Sequence, residues 1–291
     1  MEMESGFLKA IFDSFDVSFA YNFIYLAEVI LMIFLGKWLF NYITSYSLTN
    51  ELTNKDNLAV ALATNGYLVG IAIIAIAANL GETATLLDGI LEIAQFSFLG
   101  MLLLLISKFL NEKFILKKFS VRKELIEDKN AGTGAVVLGN YIASALIIAE
   151  AITVEGGGFL FVLLFYIVGQ IFLISFAHFY AYIMPYDLHS ELEKDNVAVG
   201  ISFAGALIAM SIILMKGFSS NTVEFIPNIV NFIVVGVVGV IILSALRILF
   251  AKYFVFSVDL NREIAIDRNV GVALIEASMM LIISFSLFFS I

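Results

Sequence analysis

The chain has 291 residues, of which 61% are hydrophobic and 14% charged; its mean hydropathy is +1.00 and its net charge is -9. A soluble domain carries about a quarter charged residues and no single core buries this much apolar surface, so the composition excludes a water-soluble globule and makes lipid the natural solvent. With no Cys and only 2 His there is no disulfide framework, thiolate metal site, His-rich metal site or Cys nucleophile, and the acidity argues against nucleic acid as a partner.

Met1 to Glu4 are acidic where a signal peptide would be basic, so no cleavable signal is expected. Residues 1–19 read as an amphipathic segment on the membrane surface, with Phe7, Leu8, Ile11, Phe12, Phe15 and Phe19 at helical spacing. A bilayer crossing needs about 20 apolar residues. Eight stretches meet that length, near 20–43, 57–79, 86–108, 130–150, 158–183, 196–216, 225–250 and 269–291. The third carries Asp88 and Glu92 at its start, and the short gaps at 80–85 and 151–157 demand tight hairpins. With only 2 Pro and long unbroken apolar runs, the expected class is all-α. The expected architecture is a polytopic membrane protein of eight transmembrane helices.

Fourteen of the 16 basic residues fall on one side of this arrangement, leaving Lys9 and Lys216 on the other. Cytoplasmic loops are enriched in Lys and Arg, so the loops after the odd-numbered spans are expected in the cytoplasm and both termini outside it.

Those loops end in a repeated phrase. Glu51-Leu52 precedes Asn57, Glu124-Leu125 precedes Asn130, Glu191-Leu192 precedes Asn196 and Glu263-Ile264 precedes Asn269. Asn57 to Asn196 and Asn130 to Asn269 are both 139 residues (196 − 57 and 269 − 130). Equal steps imply a duplicated four-helix unit, 20–150 and 158–291, itself built from two related hairpins. An even number of spans per unit makes the two repeats parallel. Small residues follow each Asn at helical spacing. Ala59, Ala63, Gly66 and Gly70 line one face of the second span, and Ala198, Ser202, Gly205 and Ala209 match them in the sixth. Such faces let helix backbones approach closely. Val136 and Ile275 interrupt the stripe in the fourth and eighth spans, leaving the second and sixth the most similar pair.

The phrases Pro185-Tyr186-Asp187, Glu191-Leu192, Asn196-Val197-Ala198-Val199-Gly200 and Asn57-Leu58-Ala59-Val60-Ala61-Leu62 resemble the YjfL-like bacterial inner-membrane proteins, domain-of-unknown-function family 350. The usual member resembles one four-helix unit, so the resemblance implies a tandem form. Ser45-Tyr46-Ser47 stands where the first copy would carry Pro-Tyr-Asp. The resemblance implies the inner membrane of a bacterium and supplies no catalytic residues.

Each Asn sits where a charged loop meets an apolar helix, as an N-cap does, and could also join Asp56, Asp128, Asp195 and Asp267 in a cytoplasmic vestibule. Glu51, Glu124, Glu191 and Glu263 have Lys or Arg nearby, as in solvated ion-paired loops. Glu28 and Glu276 lie inside apolar spans with no cation one turn away. Charge in hydrocarbon is costly and tends to mark function, so these are the candidate intramembrane sites. Gln95, Gln170, Asn65, Asn140 and Asn231 are candidate hydrogen-bond partners for them. Nothing in the sequence defines an enzyme, a metal site or a cofactor. The leading expectation is a small-solute or cation pathway, channel or transporter. The alternative is a non-transporting scaffold that recruits cytoplasmic partners, in envelope stress by the family setting. The lipid bilayer is an expected partner, and self-association is compatible with the small-residue faces.

Overall fold

The computed structural model describes residues 17–81, 85–154, 156–218, 224–253 and 259–290, so most of the predicted amphipathic segment at 1–19 lies outside the described residues. The described elements are α1 (Val17–Ile43), α2 (Leu48–Thr53), α3 (Leu58–Ala78), α4 (Leu86–Leu110), α5 (Val121–Ile126), α6 (Ala131–Thr153), α7 (Gly158–Ile183), α8 (Leu188–Glu193), α9 (Val197–Met215), α10 (Phe225–Tyr253), α11 (Leu260–Ala265) and α12 (Val270–Ser290). Eight of these are long and apolar enough to cross a membrane, and they coincide with the eight predicted spans. The other four are single short helices, one in each charged loop.

The third span differs from its prediction. It continues past 108 through a π-helical turn, Asn111–Ile115, giving a 30-residue apolar helix from Leu86 to Ile115. Lys108 and Glu112 are paired at 2.8 Å one turn apart and half exposed, so the charge read as the end of the span is instead accommodated along the helix.

The core is a row of four parallel helices, α3, α6, α9 and α12, each packed most extensively on the next. The odd spans flank it: α1 lies against α3 and α4, α4 against α3 and α6, α7 against α6 and α9, and α10 against α9 and α12. Lipid offers apolar side chains no hydrophobic gain on helix association, so close packing must supply the attraction. The small residues allow it. A methyl group built on Gly66 would lie 2.6 Å from Leu138 Cα, and one on Gly205 would lie 2.9 Å from Ala277 Cα. These two contacts are one 139-residue step apart (66 + 139 = 205 and 138 + 139 = 277). Between the halves the same rule holds: Gly139 packs on Ala204, and Gly200 on Gly132. The join between the repeats is therefore built like the contacts inside them. Large side chains such as Phe34, Trp38, Ile226 and Phe289 form the exposed outer shell that meets lipid.

Gly66→Ala or Gly200→Ala forces a methyl group into a neighbouring backbone, each 2.6 Å from the facing Cα. Thermal unfolding in detergent should show each variant destabilised by about 1–3 kcal/mol, the usual cost of overpacking. Gly271→Ala meets nothing nearer than Asn269 Oδ1 at 3.3 Å and should melt with the parent chain.

Candidate functional site: a repeated capping loop and a buried ion pair

Each charged loop is built on one plan. A Ser or Asp (Ser47, Ser120, Asp187, Asp259) caps the N-terminus of the short helix. A left-handed residue then turns the chain, with φ of 48° at Asp56, 51° at Lys129, 55° at Asp195 and 51° at Arg268. The Asn follows. Its Oδ1 accepts from the backbone N–H three residues on, at 3.2 Å from Val60, 2.7 Å from Thr133, 3.3 Å from Val199 and 3.2 Å from Val272. Its Nδ2 donates to the loop carboxylate, at 3.0 Å to Glu51, 2.7 Å to Glu124, 3.2 Å to Glu191 and 2.9 Å to Glu263.

The sequence did not disclose a further bond from the same amide. Asn57 Nδ2 also donates to the Leu125 carbonyl in the next loop at 2.8 Å, Asn130 to Leu192, and Asn196 to Ile264 and Ala265 at 3.1 Å each. One side chain thus caps its own span, holds its own loop and ties down the following loop. Asn57, Asn130 and Asn196 are at most 1% exposed, whereas Asn269 meets no further loop among the described residues and is exposed. The third loop has one residue fewer, with five residues from Glu191 to Asn196 against six from Glu51 to Asn57. Upstream of it the two halves therefore correspond at 140 residues, not 139. On that register Ser47 and Asp187 are the matching caps, which gives the Pro-Tyr-Asp phrase its local role.

The loop electrostatics follow from these bonds. The Lys55 hydrogen bond at 2.6 Å, helped by Asn57, holds the Glu51 carboxyl below its usual range against the opposing effect of burial. Burial also works against the charge on Glu191, but Lys194 and Asn196 outweigh it and leave that group lowered too. Glu124 is raised, because burial dominates over its bond to Asn130. Lys118 lies 3.0 Å from Asp187, holds it low and links the middle two loops. These bonds make the four Asn and four Glu positions rigid joints.

The intramembrane carboxylates have different surroundings. Glu276 has no cation one turn away on its own span, as its sequence reads, but meets one from the next helix: Arg247 Nε of α10 lies 2.6 Å from Glu276 Oε1, with side chains 10% and 1% exposed. The search one turn along the same span could not find it, because the cation comes from the neighbouring helix. Arg247, assigned by sequence to the cytoplasmic flank, lies within α10 and turns inward. Its Nη2 donates to Asn261 Oδ1 at 3.2 Å and its guanidinium sits 6.0 Å from the Tyr180 ring centroid. Ser202 of the small-residue stripe donates to Glu276 Oε2, and Tyr180 Oη lies 3.0 Å from Ser202 Oγ. The network belongs to the second half. Its counterparts in the first are Phe40, Ala63, Lys108 and Val137, by the 140- and 139-residue registers.

Glu28 is 8% exposed on α1, and its Oε2 has no hydrogen-bond partner among the described residues. The amides proposed as partners act elsewhere: Gln170 on Ser144, Asn140 on the Ser107 carbonyl and Asn231 on the Gly217 carbonyl. The space beside Arg247 and Tyr180 is about 10 Å³, no more than about one water. A cavity of about 840 Å³ lies at the helix ends opposite the loops, lined by Asp88, Glu92 and Gln95 among others, and neither Glu28 nor Glu276 borders it.

An all-helical bundle of eight apolar helices, arranged as two parallel four-helix units with a capped loop per hairpin, defines a tandem-repeat integral membrane protein. The chain belongs to the family described as Domain of Unknown Function (DUF350), whose sequence model matches it twice, over residues 15–152 and 155–291. It is similar to the UPF0719 transmembrane protein YshE of Bacillus subtilis (strain 168), 28% identical over 128 residues that cover 44% of this chain and 90% of that protein. No solved structure matches the chain.

Removing one partner of a buried ion pair costs about 3–5 kcal/mol, because the other charge is stranded. Glu276→Gln and Arg247→Met should each lower the melting temperature steeply in detergent. The double variant Arg247→Met with Glu276→Met should recover most of the loss, and Glu28→Gln should change little. A strictly additive double variant would show that the two charges are not coupled.

Proposed function

We propose that this protein is a non-transporting scaffold of the bacterial inner membrane. Its four loop motifs face the cytoplasm and dock protein partners there, and both termini face the periplasm. The observation that carries this reading is the state of Glu276. The carboxylate deepest in the second half is committed to Arg247 and Ser202 in a packed interior, and the space beside Arg247 among the described residues is about 10 Å³. A cation pathway needs a carboxylate that can exchange its partner, and a buried carboxylate with one oxygen ion-paired to Arg247 and the other hydrogen-bonded by Ser202 resists that. The loops offer the opposite: a row of rigid joints carrying exposed charges, including Asp56, Asp128 and Asp195, on one face of the molecule.

A small-solute or cation pathway is the second reading. The cavity lined by Asp88, Glu92 and Gln95 favours it, as an acidic entrance on the side away from the loops.

Reconstitution into liposomes separates the two. The scaffold should leave proton, alkali-cation and polyamine flux at the level of protein-free vesicles. Flux that disappears in Glu28→Gln or Glu92→Gln, both remote from the ion pair, would establish the pathway instead. Orientation is checked in the same Cys-free background. Lys123→Cys should react with an impermeant thiol reagent only after the cells are opened, as the clustering of basic residues around the loops requires. Labelling of intact cells would invert the topology.

A further inference from the structure

The row of parallel helices follows one contact rule and stops with the rule unfinished. Counted from each capping Asn, the ninth residue of one helix meets the eighth of the next: Gly66 on Leu138, Gly139 on Ala204, Gly205 on Ala277. Likewise the second residue meets the fourth, Ala59 on Gly134 and Gly132 on Gly200. In the loops above, the amides of Asn57, Asn130 and Asn196 each reach a carbonyl of the next short helix.

At the two ends of the row each half of this rule is present without its complement. On α12 the leading face carries Gly271, Ile275, Ser278 and Ile282, all exposed. Above it Asn269 is exposed and its amide bonds Glu263 without the inter-loop carbonyl its three counterparts have. On α3 the trailing face carries Ala61, Asn65, Leu68 and Ala72, with Asn65 exposed and the others half-buried. Above it the Leu52 carbonyl, counterpart of Leu125, receives no Asn amide among the described residues.

The ninth and eighth positions at these ends are Ser278 and Asn65. Both are polar, both face outward, and neither side chain has a hydrogen-bond partner among the described residues. At about 1.5 Å per residue they lie about 12–14 Å from their capping Asn, close to the middle of the hydrocarbon. A bare amide there is unfavourable, and lipid cannot satisfy it.

We infer that a second copy of this chain binds by continuing the row. The α3 face of the second copy packs on the α12 face of the first, so that the partner's Asn65 hydrogen-bonds Ser278 and Asn269 reaches the partner's Leu52 carbonyl. The contact joins two different faces, so copies add head to tail and either close into a ring or extend in the membrane plane. Ser and Asn replace the Gly and apolar residue of the internal junctions, so this junction is polar at its centre and slightly wider.

The test uses full-length chains in native membranes, where the absence of Cys makes any disulfide diagnostic. Asn65→Cys chains and Ser278→Cys chains with different affinity tags are co-expressed and oxidised. The mixed-tag dimer is the expected product, since a wider version of this contact falls in the disulfide range of about 4.4–6.8 Å between Cα atoms. The chain carrying both substitutions should give a ladder of oligomers. Both positions face outward, so the variants should melt like the parent, and that is measured alongside. A mixed product no stronger than that of a lipid-facing control pair, Phe34→Cys with Val237→Cys, would overturn the inference. So would a Ser278→Cys chain that cross-links to itself as strongly as to Asn65→Cys, because that is the signature of a two-fold contact.

Discussion

The structure depends on what a single carboxamide can do at the membrane surface. An amide offers one oxygen acceptor and two N–H donors, and at Asn57, Asn130 and Asn196 all of these are used. Neither Asp, which cannot donate when ionised, nor Ser, with a single hydroxyl, can cap a helix and tie two loops together in this way. The bonds also fix where each inner helix begins. That sets the height of every small residue below it, so the glycines of one helix meet the backbone of the next.

Close backbone packing and the capping joints are mutually dependent. A helix free to slide by one residue along its neighbour would bring Leu138 or Ala204 against bulkier groups, and the loop bonds remove that freedom. The left-handed residue before each Asn shows how much the turn is worth. Non-glycine residues adopt that backbone at a cost of about 1–2 kcal/mol, and the chain does so with Asp, Lys, Asp and Arg in turn. The buried ion pair is a different kind of element. It is confined to the second half, where Ser202 replaces the alanine of the first stripe and supports Glu276. Duplication produced two like frameworks, and only one acquired an internal charge network.

Much of this was legible in the sequence because it has a period. The Asn phrases, the 139-residue step, the parallel repeats and the eight apolar runs all repeat along the chain. What escaped was non-periodic or carried by backbone. The acceptors for Asn57 and Asn130 are carbonyls, and every residue has one, so no side chain marks Leu125 or Leu192. Arg247 and Glu276 are 29 residues apart on neighbouring helices (276 − 247), beyond any search along one span. The third span ran long because Lys108 and Glu112 neutralise each other, so a hydropathy minimum was mistaken for an end. The shortened third loop could be counted from Glu191 to Asn196, yet its effect on register upstream appears only once the caps are superposed.

The linkage between successive loops also gives biogenesis a direction. Asn57 is synthesised well before the Leu125 carbonyl that completes its bonding, and Asn130 well before Leu192. Until that next loop is in place, one amide N–H of each capping Asn has only water to bond. The newcomer both secures its predecessor and presents the same incomplete edge to its successor. Register is thus passed along the row in chain order, each loop fixing the helix that begins before it.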